Sequence, residues 1–252
     1  MTAAEKQIFS RALTPVIYAV LVAMWEAGAR VFHVPAWILP APSVVAMTAI
    51  EWAPELAFNS IATLRETVIG FFVALAFSVP LAVVIAFTSL TRRILYPILL
   101  GLQSVPKVAL APLVILWFGI GNWPKVIIVI LVCFFPILVN LVAGFEATPK
   151  AMLDLMHSLR ASRWAIFRRL RVPIATPYLF TGCKIAITFA VIGAVISEFV
   201  AAQEGLGYLI LISTAQSQTP LAFAAIIMLT IISVLLFYCV EFLERRFVTW
   251  TA

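Results

Sequence analysis

The chain has 252 residues, 64% of them hydrophobic and only 11% charged, with a formal net charge of +6. A water-soluble domain carries roughly 25% charged residues, so this composition excludes an ordinary soluble enzyme. The basic balance does not point to nucleic acid, because Lys and Arg fall in short gaps between long apolar runs, as in membrane helices oriented by their cytoplasmic cations.

In lipid a backbone can satisfy its polar groups only within helices or a closed barrel. These apolar runs are continuous rather than alternating, which selects helices. The chain therefore reads as an all-α integral membrane protein, a single domain over residues 1–252 with six spans. The first runs from about Ala12 to Val31. Lys6 and Arg11 precede it, but no clean small-residue cleavage site follows, so it reads as a span rather than a removable signal. Pro40 and Pro42 then mark an extended turn, after which Ser43 is expected to cap a short interfacial helix reaching Trp52. The second span covers Ile61 to Leu90, the third Ile94 to Ile120, the fourth Val126 to Phe145, the fifth Pro177 to Ala202 and the sixth Leu221 to Val240.

Cations set the orientation. Lys6 and Arg11, Arg92 and Arg93, the segment Lys150 to Arg171, and Arg245 and Arg246 all fall on one side, which the positive-inside rule makes cytoplasmic, with both termini inside. The gap between the fourth and fifth spans carries structure of its own, over about residues 148–173. Thr148 and Pro149 are expected to start a helix whose Met152, Met156 and Leu159 share a face. Ser162 can cap a second helix with a Trp164, Phe167, Leu170 stripe, which Pro173 is expected to end. Chemistry alone leaves two readings for this hairpin: a basic element resting on lipid phosphates, or a handle for a partner protein.

Asp154-Leu155-Met156-His157-Ser158-Leu159-Arg160-Ala161-Ser162, with Trp164 and Pro173 after it, resembles the cytoplasmic "EAA" loop of bacterial ABC importer permeases. Ser104 to Leu113, Trp117-Phe118-Gly119-Ile120-Gly121, and Glu198 followed by Gly205-Leu206-Gly207-Tyr208 resemble the same family, in its branch for nitrate, sulfonates, taurine, bicarbonate, thiamine precursors and riboflavin. The resemblance implies the type I importer permease fold at the inner membrane. The implied partners are a second copy of the chain, two ATP-binding cassette subunits that hold ATP and Mg²⁺, and a periplasmic or lipid-anchored binding protein. It also implies that Asp154, Met156, Leu159, Arg160, Ala161, Ser162, Trp164 and Phe167 couple the chain to the ATPase. The family usually has Glu-Ala-Ala at Asp154-Leu155-Met156 and Gly at Arg160. A sharp turn at Arg160 asks for a positive φ that a side chain resists.

The chain contains no GxxxxGK[ST] phosphate loop, so hydrolysis is assigned to another subunit and no cofactor or metal to this one. Cys133, Cys183 and Cys239 form no CxxC and read as small core residues. Ionisable residues at membrane depth need a role. Lys107 and Lys184 either face a translocation path or bond helix carbonyls or an acid. Trp117 and Phe118, with Trp123, either anchor the interface or line the mouth of a path. Glu198 is expected to pair with Arg65 as a brace beside an outer gate, and Glu66 is set aside because adjacent helical residues point apart. Two histidines on opposite sides make a membrane enzyme a poor reading. A secondary transporter would show an internal repeat, which is not seen. The substrate expected is a flat heteroaromatic of the thiamine-pyrimidine or riboflavin type, the alternative being a small anion.

Overall fold

The computed structural model describes residues 3–201 and 203–250, apart from the side chains of 3–14, 89–92, 95 and 100. Ala202, the expected end of the fifth span, and the side chains of Lys6, Arg11 and Arg92 therefore lie outside the described residues. The elements are helical throughout: α1 Ala3–Val31, α2 Pro42–Glu51, α3 Ala53–Phe87, α4 Ser89–Gln103, α5 Lys107–Phe118, α6 Asn122–Glu146, α7 Lys150–Ser158, α8 Arg163–Ile166, a π-turn Phe167–Arg171, α9 Val172–Ala201, α10 Leu206–Ala215 and α11 Thr219–Phe247. Among the described residues, α3, α6, the continuous helix Arg163–Ala201 and α11 are each long and apolar enough to cross a membrane. The first expected span lies inside α1.

The third expected span is not one rod. It is a bent pair, with Tyr96–Gln103 and Lys107–Phe118 meeting at 95°. The cause is Pro106, which brings no N–H to a helix and pushes Val105 out of the α region. The segment after α9 folds into the short apolar helix α10, with Leu206 and Leu209 buried.

α6 is the most enclosed of the four crossing helices and packs between α3 and α9. One core joins Phe71 and Ala74 of α3, Val129, Cys133 and Ile137 of α6, and Cys183, Ala186, Ile187 and Ala190 of α9. Small residues let these backbones close up, which replaces the missing hydrophobic drive between helices in lipid. At Gly182 a Cβ would lie 2.9 Å from the Pro136 carbonyl oxygen. Cys239, unlike the other two cysteines, is exposed rather than core.

α1 is tied to the bundle by a polar latch. Glu26 accepts the Ser43 N–H at 2.9 Å and the Ser43 hydroxyl at 2.8 Å, and pairs with Arg30 at 2.6 Å. Ser43 is thus not the cap of α2. Ala41 takes that position with Pro42 at the first turn, and the Ser43 hydroxyl is drawn to the stronger charged acceptor.

Candidate functional site

The segment between α6 and α9 forms two short helices joined by a sharp turn. The N-cap of α7 is Pro149, not Thr148. The Thr148 hydroxyl instead donates to the Phe145 carbonyl at 3.1 Å, satisfying an acceptor at the end of α6 that would otherwise be orphaned. α7 closes with Arg160 N–H on the His157 carbonyl and Ala161 N–H on the Met156 carbonyl, both at 2.9 Å. That is the Schellman pattern, and it places Arg160 at φ +53°, where glycine is usual. Ser162 accepts the Ala165 N–H at 3.2 Å and caps α8 as its sequence position implies.

Pro173 does not end this helix. The π-turn at Phe167–Arg171 widens the spiral, Val172 N–H reaching back to Phe167, so the proline ring passes without breaking the helix and α9 runs on. Phe167 turns inward against Phe87 at 4.9 Å and Phe145 at 5.9 Å, which holds the element to the bundle. Trp164 stays 66% exposed beside it, and Met152, Leu155 and Leu159 are exposed on α7. Met156 and Ala161 are half-buried, while Asp154, Arg160 and Ser162 are exposed. The result is an apolar face that no part of the described chain covers, presented by a rigid, capped turn.

A second polar cluster lies at the opposite end of the bundle, and there the structure corrects the sequence reading. Arg65 and Glu198 do not pair. Glu198 is 1% exposed and accepts the Thr63 hydroxyl at 2.7 Å and the Gly207 N–H at 2.6 Å. Thr63 in turn accepts the Leu206 N–H, and Asn59 accepts the Gly205 N–H, both at 2.8 Å. A Cβ at Gly205, where φ is +115°, would collide with the Glu198 carboxylate, and one at Gly207 would lie 2.7 Å from its Oε2. The Gly-Leu-Gly segment is therefore shaped by the buried carboxylate it wraps. Glu66 is the ion-pairing acid, joined to Lys125 at 2.7 Å. Arg65 points to the exposed side of α3, since residues one apart diverge on a helix. Lys125 was readable only as an outer cation, and no local signal in its own segment marked it as buried.

Lys107 sits at the corner between α4 and α5. Its ammonium donates to the Gln103 carbonyl at 2.8 Å and lies 5.3 Å from the centre of the Phe135 ring. Lys184 pairs with Glu244 of α11 at 2.7 Å. Trp117 and Phe118 close α5 with 68% and 60% exposure, followed by Gly119 at φ +80°. A cavity of about 400 Å³ lies between α3 and α6, lined by Phe58, Arg65, Glu66, Asn122 and Trp123.

Residues 78–249 match the family described as binding-protein-dependent transport system inner membrane component, and the chain belongs to that family. It is 34% identical to the formylaminopyrimidine transport permease protein of Halalkalibacterium halodurans, covering 95% of this chain and 96% of that one. It is 36% identical to the riboflavin transport system permease protein of Chloroflexus aurantiacus, covering 94% and 90%. A putative aliphatic sulfonates transport permease protein of Bacillus subtilis is 27% identical over 92% and 85%. In fold, the chain resembles the MetNI methionine ABC transporter in an inward-facing conformation, with a TM-score of 0.66 at 17% identity, covering 75% of this chain and 94% of that one. The chain is thus a multi-pass membrane permease subunit of an ABC importer and not an enzyme, and ATP hydrolysis falls to a separate subunit.

Proposed function

We propose that this permease admits a flat heteroaromatic solute of the pyrimidine or flavin type, delivered by a binding protein and driven by two ATPase subunits that hold the ATP and Mg²⁺. The observation that carries the substrate class is the engagement of Lys107 and Lys184. Lys107 is bound to a carbonyl and an aromatic face, and Lys184 is neutralised by Glu244. Lys184 is therefore not a free cation for an anion, and Lys107 keeps its charge but spends it on a backbone carbonyl and a ring face. The exposed rings of Trp117, Phe118 and Trp123 suit stacking on a planar solute, and the relatives named for formylaminopyrimidine and riboflavin are more similar in sequence than the sulfonate relative.

The exposed face of α7 and α8 is the coupling handle in this reading. Met156, Leu159 and Trp164 enter a groove of the ATPase, while Asp154, Arg160, Ala161 and Ser162 shape and rim the turn. Phe167 transmits the load inward, because it is packed on Phe87 and Phe145. A second copy completes the path, with both termini in the cytoplasm. The test is uptake by whole cells with and without the gene. Loss of labelled formylaminopyrimidine or riboflavin uptake supports the assignment. Loss of taurine or alkanesulfonate uptake alone would transfer it to the small-anion class.

A further inference from the structure

The hairpin of α7 and α8 has a second side, turned toward the bundle. A cleft of about 280 Å³ lies there, lined by Phe87 at the end of α3, Leu153 and His157 of α7, and Arg163, Phe167 and Arg171 beyond the turn. No Asp or Glu is among its lining residues. Neither Arg163 nor Arg171 forms an ion pair among the described residues. Arg171 is half-buried, and its guanidinium lies over the Phe87 ring, 5.5 Å from the centroid. Stacking fixes the plane of a guanidinium and leaves its N–H edge for an acceptor in that plane. Two arginines on one cleft without an acid fit an anion, and the guanidinium fork matches the oxygens of a phosphate. His157 adds a ring N–H.

The depth of the cleft selects the source of that phosphate. α3 has 35 residues and the continuous helix Arg163–Ala201 has 39. At 1.5 Å per residue they are about 52 and 58 Å long, against about 40–45 Å for a bilayer with its headgroups. The apolar run of α3 continues to Phe87, and the first cations after it are Arg92 and Arg93. The cleft therefore sits at the headgroup boundary of the cation-rich side, which the positive-inside rule makes cytoplasmic. Basic pockets between membrane helices at that level suit anionic lipid headgroups. The Phe87 ring, 45% exposed, gives the glycerol and the first acyl carbons an apolar shelf.

The apolar face that Proposed function gives to the ATPase does not compete for this site. Each residue turns a helix by about 100°. Met152, Leu155 and Leu159 thus point roughly 150° away from Leu153 and His157 on α7. We propose that the cleft binds the phosphate of an anionic phospholipid, with Arg163 and Arg171 as a cationic clamp, His157 as a further donor and Phe87 beneath the glycerol. The lipid then ties α3 to α7 on the side away from the ATPase. This goes beyond the transport reading and does not depend on which solute is carried.

The test is native mass spectrometry of the full chain released from detergent micelles, alone and assembled with its ATPase, after exposure to equal amounts of phosphatidylglycerol and phosphatidylcholine. Both lipids carry a phosphate, but the choline ammonium cancels its charge. Wild type should prefer phosphatidylglycerol by about tenfold or more, with and without the ATPase. Each cation near such a headgroup is worth about fivefold in affinity. Arg163→Gln should therefore cost about fivefold, and Arg163→Gln with Arg171→Gln about twenty-five-fold. Arg168→Gln with Arg169→Gln removes the same charge from exposed positions outside the cleft, and should leave the preference intact. The single Arg163→Gln change, at an exposed position, carries the test if loss of the Arg171 stack disturbs folding. Equal losses in the two double variants mean diffuse surface charge, and overturn the site. Loss of the lipid on assembly with the ATPase assigns the cleft to that interface, and also overturns it. Displacement of phosphatidylglycerol by an equal concentration of glycerol phosphate would make the ligand a soluble phosphate ester instead of a lipid. None of these outcomes bears on the solute, which whole-cell uptake decides separately.

Discussion

Lys125→Met isolates the energetics of the pair that holds α3 to α6. The two side chains are 5% and 6% exposed and 2.7 Å apart. At that distance, an effective dielectric constant of about 20 gives an attraction of about 6 kcal/mol, which desolvation of the two ions largely cancels. The pair therefore adds little net stability over two apolar residues, but half of it cannot be removed safely. Lys125→Met strands a buried carboxylate, at a cost of about 3–5 kcal/mol. For a chain of this size that corresponds to a fall in midpoint on the order of 10 °C. Adding Glu66→Met removes the stranded charge and should restore most of the loss. Thermal unfolding of the purified chain in detergent micelles, run on wild type, both single variants and the double variant, completes the cycle. A Lys125→Met midpoint within about 2 °C of wild type would mean that the site is wet, and would refute the argument from burial.

The apolar turn yields a second prediction. Trp164→Ala and Met156→Glu should each cut co-purification of the ATPase more than tenfold while the chain still inserts, as truncating an interface anchor does. Arg168→Ala, one exposed charge among several, should do much less. Arg160→Gly relieves a left-handed residue and should stabilise the chain by about 1 kcal/mol, read as a raised midpoint; a lowered midpoint would show that the Arg160 side chain compensates for its backbone. Gly207→Ala pushes a methyl group against Glu198 Oε2 and the Val195 carbonyl, 2.7 and 3.1 Å away. A cost of about 1–3 kcal/mol should appear as reduced folded yield, and wild-type yield would mean that the carboxylate can swing aside. A cysteine placed at Ser162, in a chain whose exposed Cys239 is replaced by serine, should resist an impermeant thiol reagent applied outside intact cells. Rapid labelling would invert the topology.

Sequence alone determined those features that depend on neighbours along the chain or on the solvent. Apolar runs of membrane length specified helices because lipid offers no other partner to the backbone. Ser162 was readable as a cap, and Arg160 as an ill-suited residue at a sharp turn, because both are matters of local φ and of a donor three residues away. Tertiary structure decided which polar groups meet. Glu66 rather than Arg65 lies on the buried face of α3, Lys125 comes to it from another helix 59 positions on, and Glu198 is satisfied by Thr63 and a glycine N–H instead of an arginine. The π-turn that carries α9 past Pro173 and the helix α10 were likewise settled by packing. The physical reason is one of register. Helical rotation and depth in the bundle are set by many weak contacts between small and apolar residues along α3, α6 and α9. A shift of one residue turns a side chain by 100° on a helix of 3.6 residues per turn, so partners across helices are chosen only once that packing is complete.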